Sequence, residues 1–418
     1  MNIYIFVAMI ALVCVLGFFN EKVTKLNYEI SLMLFSIVLG ILIVIATSLF
    51  SGAEVLEEVQ MMDIEEFLMK GVLCFMLFAG SFRMKLSDFK KQARQITVLA
   101  FVCTLLGTIF YGLLFYGAAL LFGVNLSLPI CLMFGSIIAP TDPIAATGIL
   151  SKFGLPKDTS FLIQGESLFN DGVGVALFVF FSGMATSSSA SEGFFGVMLR
   201  EVLGAVAVGI GVTAICFLMF RFSKNKMLRI FISLLAVSLS YALCELFHFS
   251  GAIASVICGI MFSALRDRFP AEEKEDAEMF DNFWETLDSM FNSFLYVMLG
   301  LSFVRVLQME YVVILALVAI TANFIARVGS LSISSFIMGK LPDGYSRFNF
   351  ITLFTWGGFR GGLSVALAMS TKPMIPEDVY YIILGGTYAV VFFTTVIQGL
   401  TLKPVYARIS KSQSKAAA

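Results

Sequence analysis

The chain has 418 residues and a net charge of −1; 59% of its residues are hydrophobic and only 14% charged, with a mean hydropathy of +0.92. Those values exclude an ordinary soluble domain, and no nucleic-acid partner is expected. Apolar runs of about 18 or more residues recur throughout, so helices and not barrel strands satisfy the backbone in lipid, and the fold class is an all-α polytopic membrane protein.

About thirteen spans are expected, near residues 2–19, 28–50, 67–81, 96–122, 127–150, 158–183, 194–220, 228–247, 251–265, 284–303, 309–338, 347–370 and 377–401. The first run, Ile3 to Phe19, has no basic residue before it and no small-residue cleavage site after it, and is read as a retained helix. Basic residues crowd alternate connections: Arg83, Lys85, Lys90, Lys91 and Arg94 in one, Arg221, Lys224, Lys226 and Arg229 in another, and Lys403, Arg408, Lys411 and Lys415 in the tail. The opposite connections carry only Arg305 and Lys372, so the N-terminus is expected outside and the C-terminus in the cytoplasm. The acidic stretch Ser51–Glu66 reads as a solvated outer loop, with cation attraction as its alternative, and Asp267–Asp281 as a solvated inner one, with pH sensing as its alternative. The seven cysteines lie in apolar runs and read as packing residues, and His248 as a polar loop residue.

In the sixth span, GESLFNDGVG places Glu166, Asn170 and Asp171 in apolar surroundings. A carboxylate at the centre of a membrane helix costs roughly 2.5–3.5 kcal/mol, so these charges need a use. At about 100° per residue, Ser167 and Asp171 share one face and Glu166 and Asn170 another, with Glu166 and Asp171 about 140° apart. One carboxylate can then pair with a neighbouring helix while the other faces a cavity.

The fifth span carries Pro140 and Pro143 around Thr141 and Asp142, so its helix must break; Asp142 is either a cap in the kink or part of an ion site. The twelfth reads TWGGFRGGLSVA, with four glycines around Arg360, and also looks unwound; Arg360 can neutralise negative half-helix ends or pair with a carboxylate. If spans 1–6 and 8–13 form two halves, the breaks correspond, and the odd seventh span makes the six-helix halves inverted, with a substrate site near the midplane. Arg327 in the eleventh span needs a carboxylate, for which Glu166 is the best candidate, in a structural ion pair. Trp284, Glu285, Asp288, Asn292 and Ser293 in span ten either line a cytoplasmic funnel or mark the helix entrance.

APTDP, GESLFNDG, ARVG and GGxRGG, in this order on this span pattern, resemble the sodium/proton exchanger branch of the monovalent cation/proton antiporters. The short tail after residue 403 is similar to bacterial-type members; Phe359 and Gly362 depart from the usual Leu and Ala. The resemblance implies a multi-pass homodimer in the plasma membrane, a secondary transporter and not an enzyme, with no cofactor. It implies dimerisation-domain helices in 1–95 and 228–308, core-domain helices in 96–183 and 309–403, a linking helix in 184–227 and a short cytoplasmic tail in 404–418, with broken helices 5 and 12 crossing in a core that moves like an elevator. Residue by residue, Asp171 becomes the ion-binding carboxylate, and Thr141, Asp142 and Ser167 supply ligands to a monovalent cation or shape its site. Asn170 stands in for a second carboxylate, Glu166 with Arg327 is the stabilising pair, and Arg360 compensates charge at the break. With one carboxylate contested by proton and cation, electroneutral 1:1 Na+/H+ antiport is expected. K+/H+ or mixed exchange with Li+ is the alternative, and a cation channel or an intramembrane protease is more remote.

Overall fold

The computed structural model describes residues 3–50, 71–84, 86–150, 153–186, 194–266, 274–303 and 312–417. The acidic stretch Ser51–Glu66, Arg305, and most of the serine-rich and acidic connections (residues 187–193 and 267–273) lie outside the described residues. The described chain is helical throughout: α1 Ile3–Phe19, α2 Tyr28–Phe50, α3 Leu73–Phe82, α4 Leu86–Thr97, α5 Thr104–Leu121, α6 Leu128–Ile138, α7 Pro143–Leu150, α8 Lys157–Ala185 and α9 Phe194–Phe222. There follow α10 Lys226–Phe247, α11 Gly251–Arg266, α12 Lys274–Ser302, α13 Val312–Met338, α14 Arg347–Trp356, α15 Gly362–Ser370, α16 Glu377–Phe392 and α17 Gly399–Ala417. Among the described residues, eight helical stretches are long and apolar enough to cross a membrane, and the protein is a multi-pass membrane protein.

Several boundaries differ from the sequence reading. The fourth span begins earlier: α4 is an amphipathic, charged helix that runs through a π-helical turn, Val98–Cys103, into α5. The stretch after 403, expected as a tail, continues as α17 despite Pro404. The tenth span starts at Lys274, inside what reads as a solvated loop. In each case charged residues extend a helix beyond its apolar segment, which hydropathy does not register. His248 fits its reading, ending α10 in the left-handed conformation at φ 56°.

The helices pack in two groups. In one, α5 lies against α6 and α13, α6 against α8 and α15, and α13 and α15 against α16. In the other, α2 packs on α12, α3 on α11 and α12, and α9 on α10 and α11. Lipid offers no hydrophobic drive between helices, so close approach at small residues matters. A Cβ on Gly135 would lie 2.2 Å from the Thr108 carbonyl oxygen, joining α6 to α5, and one on Gly259 would lie 2.0 Å from Ser81 Oγ, joining α11 to α3. Phe78, Phe82, Phe262, Phe280 and Trp284 fill the second group, with the Phe78 and Trp284 rings 4.3 Å apart. The groups meet where α8 contacts α3 and α11 and where α12 contacts α15.

Candidate functional site

Both expected interruptions are present, and they touch. The segment between α6 and α7 covers residues 139–142, that between α14 and α15 residues 357–361, and the Asp142 N–H donates to the Phe359 carbonyl at 2.9 Å. Unwinding at this depth frees backbone groups that must find partners within the protein. Here each segment supplies one for the other. Gly361 permits the approach, because a Cβ there would sit 2.6 Å from Asp142 Oδ2. Phe359, one of the two departures, is fully buried, and Gly362, the other, packs against Leu295.

The long helix α8 stands beside the first break. Asn170 Oδ1 accepts from the Thr141 N–H at 3.3 Å, its Nδ2 donates to Thr141 Oγ1 at 2.9 Å, and Thr141 Oγ1 and Ser167 Oγ share a hydrogen bond of 2.9 Å. All three side chains are buried. Asp171, one residue on, instead lines a cavity of about 450 Å³ together with Thr141, Asp142, Glu285, Asp288 and Ser364. Thr141 thus joins the buried triad to the cavity wall, and Ser167 and Asn170 stand behind it.

Glu166 points elsewhere, as the helical spacing requires. Its Oε1 accepts from Arg327 NH1 at 2.7 Å, with Glu166 1% and Arg327 6% exposed. Arg327 also donates through Nε and NH2 to the Phe354 carbonyl, at 3.4 and 3.3 Å, near the C-terminal end of α14, and Cys103 Sγ lies 3.8 Å from its NH1. Among the described residues Arg360 pairs with no carboxylate: NH1 donates to the Pro140 carbonyl at 3.1 Å, just past the end of α6, and NH2 to Asn323 Oδ1 at 3.1 Å. Each guanidinium therefore sits at the negative end of the half-helix belonging to one break. Another π-helical turn, Phe393–Gln398, holds the Arg360 backbone: Thr394 Oγ1 accepts from its N–H and Thr395 Oγ1 donates to its carbonyl.

Sequence reasoning passed over Tyr296, Asn323 and Arg83. Tyr296 donates to Asp142 Oδ2 at 2.9 Å, and Arg83, counted only as a topology charge, pairs with Asp288 beside the cavity. A signal existed: Asp288, Asn292 and Tyr296 recur every four residues, one face of α12, as do Asn323 and Arg327 on α13. Of the polar group in span ten, Glu285, Asp288, Asn292 and Ser293 line the cavity, whereas Trp284 is buried and donates to Ser233. Among the described residues no cluster of His, Cys, Asp and Glu has the make-up of a site for a tightly held metal ion.

Residues 8–408 match the model of the family described as sodium/hydrogen exchanger, transmembrane. The chain belongs to the sodium/hydrogen exchanger family. The exchanger is 32% identical over 417 residues to the Na+/H+ antiporter NhaP of Pseudomonas aeruginosa, covering 97% of this chain and 96% of that protein. It is 29% identical to the Na+/H+ antiporter NhaH of Halobacillus aidingensis, over 76% of this chain and 77% of the relative. Its fold is similar to that of the sodium proton antiporter MjNhaP1 from Methanocaldococcus jannaschii, solved at pH 8, with a TM-score of 0.74 at 21% identity over 97% and 96% of the two chains. Relatives named as antiporters accord with a transporter and not an enzyme.

Proposed function

We propose that this exchanger carries Na+ against H+ across the plasma membrane by alternating access, one cation for one proton. The observation that carries the reading is the pair of touching helix breaks beside a cavity lined by Asp171 and Asp142. Asp171 is the group for which proton and cation compete; Asp142 and Thr141 shape the site from the cavity wall. Ser167 and Asn170 hold Thr141 in place, and Ser167 gains access to the cation if its hydroxyl turns from Thr141. Hard oxygen donors suit a dehydrated alkali cation. Glu166 with Arg327 is architectural, and Arg360 compensates the end of α6. We read thirteen spans in two inverted halves, with the N-terminus outside and the C-terminus in the cytoplasm. The cavity, passing Glu29 at the start of α2 and Arg83 beyond α3, then opens to the cytoplasm. The group containing α5, α6, α8 and α13 to α16 is the moving core, and the other is the scaffold of a homodimer.

In proteoliposomes with a pH-gradient dye, Na+ added to the parent dequenches the dye, and Asp171→Asn abolishes that response. Full activity in the variant overturns the assignment of Asp171. Parallel additions of Li+ and K+ define the cation, and a response to K+ alone would replace Na+ with K+ as the substrate.

A further inference from the structure

Tyr296 connects the two packing groups at the site itself. It lies on α12, which packs against α2 and α3, and is 1% exposed; its hydroxyl donates to Asp142 Oδ2 at 2.9 Å. Asp142 belongs to the first break and is tied through its own N–H to the second. The bond is the end of a polar stripe on one face of α12: Arg83 pairs with Asp288, Asn292 Nδ2 donates to Asp288 Oδ1 at 2.9 Å, and Tyr296 follows one turn later. Asp288 and Asn292 line the cavity that Asp142 and Asp171 also line.

We propose that Tyr296 is a positioning residue that latches the core to the scaffold while the cavity is open to the cytoplasm, through the Asp142 carboxylate. This rests on the alternating-access reading above. A phenol donates to an ionised carboxylate through a charge-assisted bond, here of ordinary length, and displacement of one partner by more than about an ångström removes it. Movement of the breaks relative to α12 therefore breaks the bond, so it stabilises only the cytoplasm-open state. A cation that takes Asp142 as a ligand competes for the same carboxylate and loosens the latch. Loading and release of the core are thereby coupled at one side chain, as a population shift requires.

Tyr296→Phe keeps the ring and removes the donor. With Na+ presented to either face of oriented proteoliposomes, the variant should raise the apparent KM at the cytoplasmic face and lower it at the outer face. The ratio of the two should change by about tenfold, the range of one hydrogen bond to a charged group. Backbone amide exchange of α3 and of residues 285–295 should slow as the cytoplasmic cavity becomes less populated. A merely structural role would reduce expression or maximal rate and leave the KM ratio and the exchange pattern unchanged, and that result overturns the proposal. Asp142→Ala, which removes the acceptor and is read by amide exchange alone, should shift the pattern in the same direction, with Tyr296→Phe adding nothing on top; additive shifts also overturn it. If the parent moves no protons on adding Na+, the transport reading fails, and the amide-exchange arm still decides whether Tyr296 holds the cavity open.

Discussion

Removing Arg327 without Glu166 should damage the protein more than removing both. In Arg327→Met the Glu166 carboxylate, 1% exposed, loses its 2.7 Å partner, and breaking a buried ion pair in this way costs about 3–5 kcal/mol. The Phe354 carbonyl also loses its two donors from Arg327, which adds about 0.5–1.5 kcal/mol. Glu166→Leu leaves the guanidinium with the Phe354 carbonyl and the Cys103 sulfur but no carboxylate, and should cost a similar amount. The double variant buries no unpaired charge and retains only the uncapped carbonyl, so it should recover most of the loss. The coupling then reaches or exceeds about 3 kcal/mol, the upper end for contacting residues. Intrinsic fluorescence during heating of detergent-solubilised protein follows this directly, because Trp356 ends the helix whose carbonyl Arg327 caps. Midpoints are compared at one scan rate, since such unfolding is commonly irreversible. If the two single losses simply add in the double variant, the pair is not the unit described here.

Gly361→Ala places a methyl 2.6 Å from Asp142 Oδ2, so it should nearly abolish Na+-dependent proton movement in proteoliposomes while leaving the melting midpoint within a few degrees of the parent. Thr141→Val removes the hydroxyl that joins Asn170 and Ser167 to the cavity wall; at least a tenfold rise in the KM for Na+ is expected, together with a loss of about 1–3 kcal/mol from the stranded amide. Gly259→Leu cannot be accommodated between α11 and α3, where even a Cβ would meet Ser81 Oγ at 2.0 Å, and size-exclusion chromatography should show little folded protein. Asn170→Asp introduces a second carboxylate in the buried triad; on the one-for-one reading a membrane potential should leave the parent's rate unchanged and change that of the variant in proteoliposomes, and an equal response of the two refutes the role given to the amide.

The breaks and the Glu166–Arg327 pair were legible in sequence because their causes are local or expensive. Prolines at 140 and 143 and four glycines around Arg360 remove helix donors or side chains in place, and a buried Arg calls for a compensating negative group, most often a carboxylate. Arg360 shows the limit of that argument: its NH1 and NH2 are held by the Pro140 carbonyl and Asn323, because an unwound helix end offers a negative pole that no residue letter records. Tyr296 was missed because a phenol in an apolar run is cheap to bury, and its partner lies 154 positions away in the chain. Most of the helix over Leu86–Thr97 lies ahead of the expected start of the fourth span at residue 96, because its polar face outweighs its apolar one in any hydropathy average.

The side chains between the breaks also bear on stoichiometry. In the group of helices that carries the breaks, the buried or cavity-lining charges among the described residues are the carboxylates Glu166, Asp142 and Asp171 and the guanidiniums Arg327 and Arg360, so with all of them ionised one negative charge of that group remains uncompensated. Tyr296 and the Asn170 triad contribute hydrogen bonds and no charge. Moving an uncompensated charge through a low-dielectric barrier is opposed by its desolvation, while a core loaded with a single cation or a single proton is neutral. Either load satisfies the same deficit, and neither leaves room for a second. On the one-for-one reading proposed above, the balance of these five groups, three of them buried and Asp142 and Asp171 facing the cavity, accounts for electroneutral exchange only while Asn170 remains an amide.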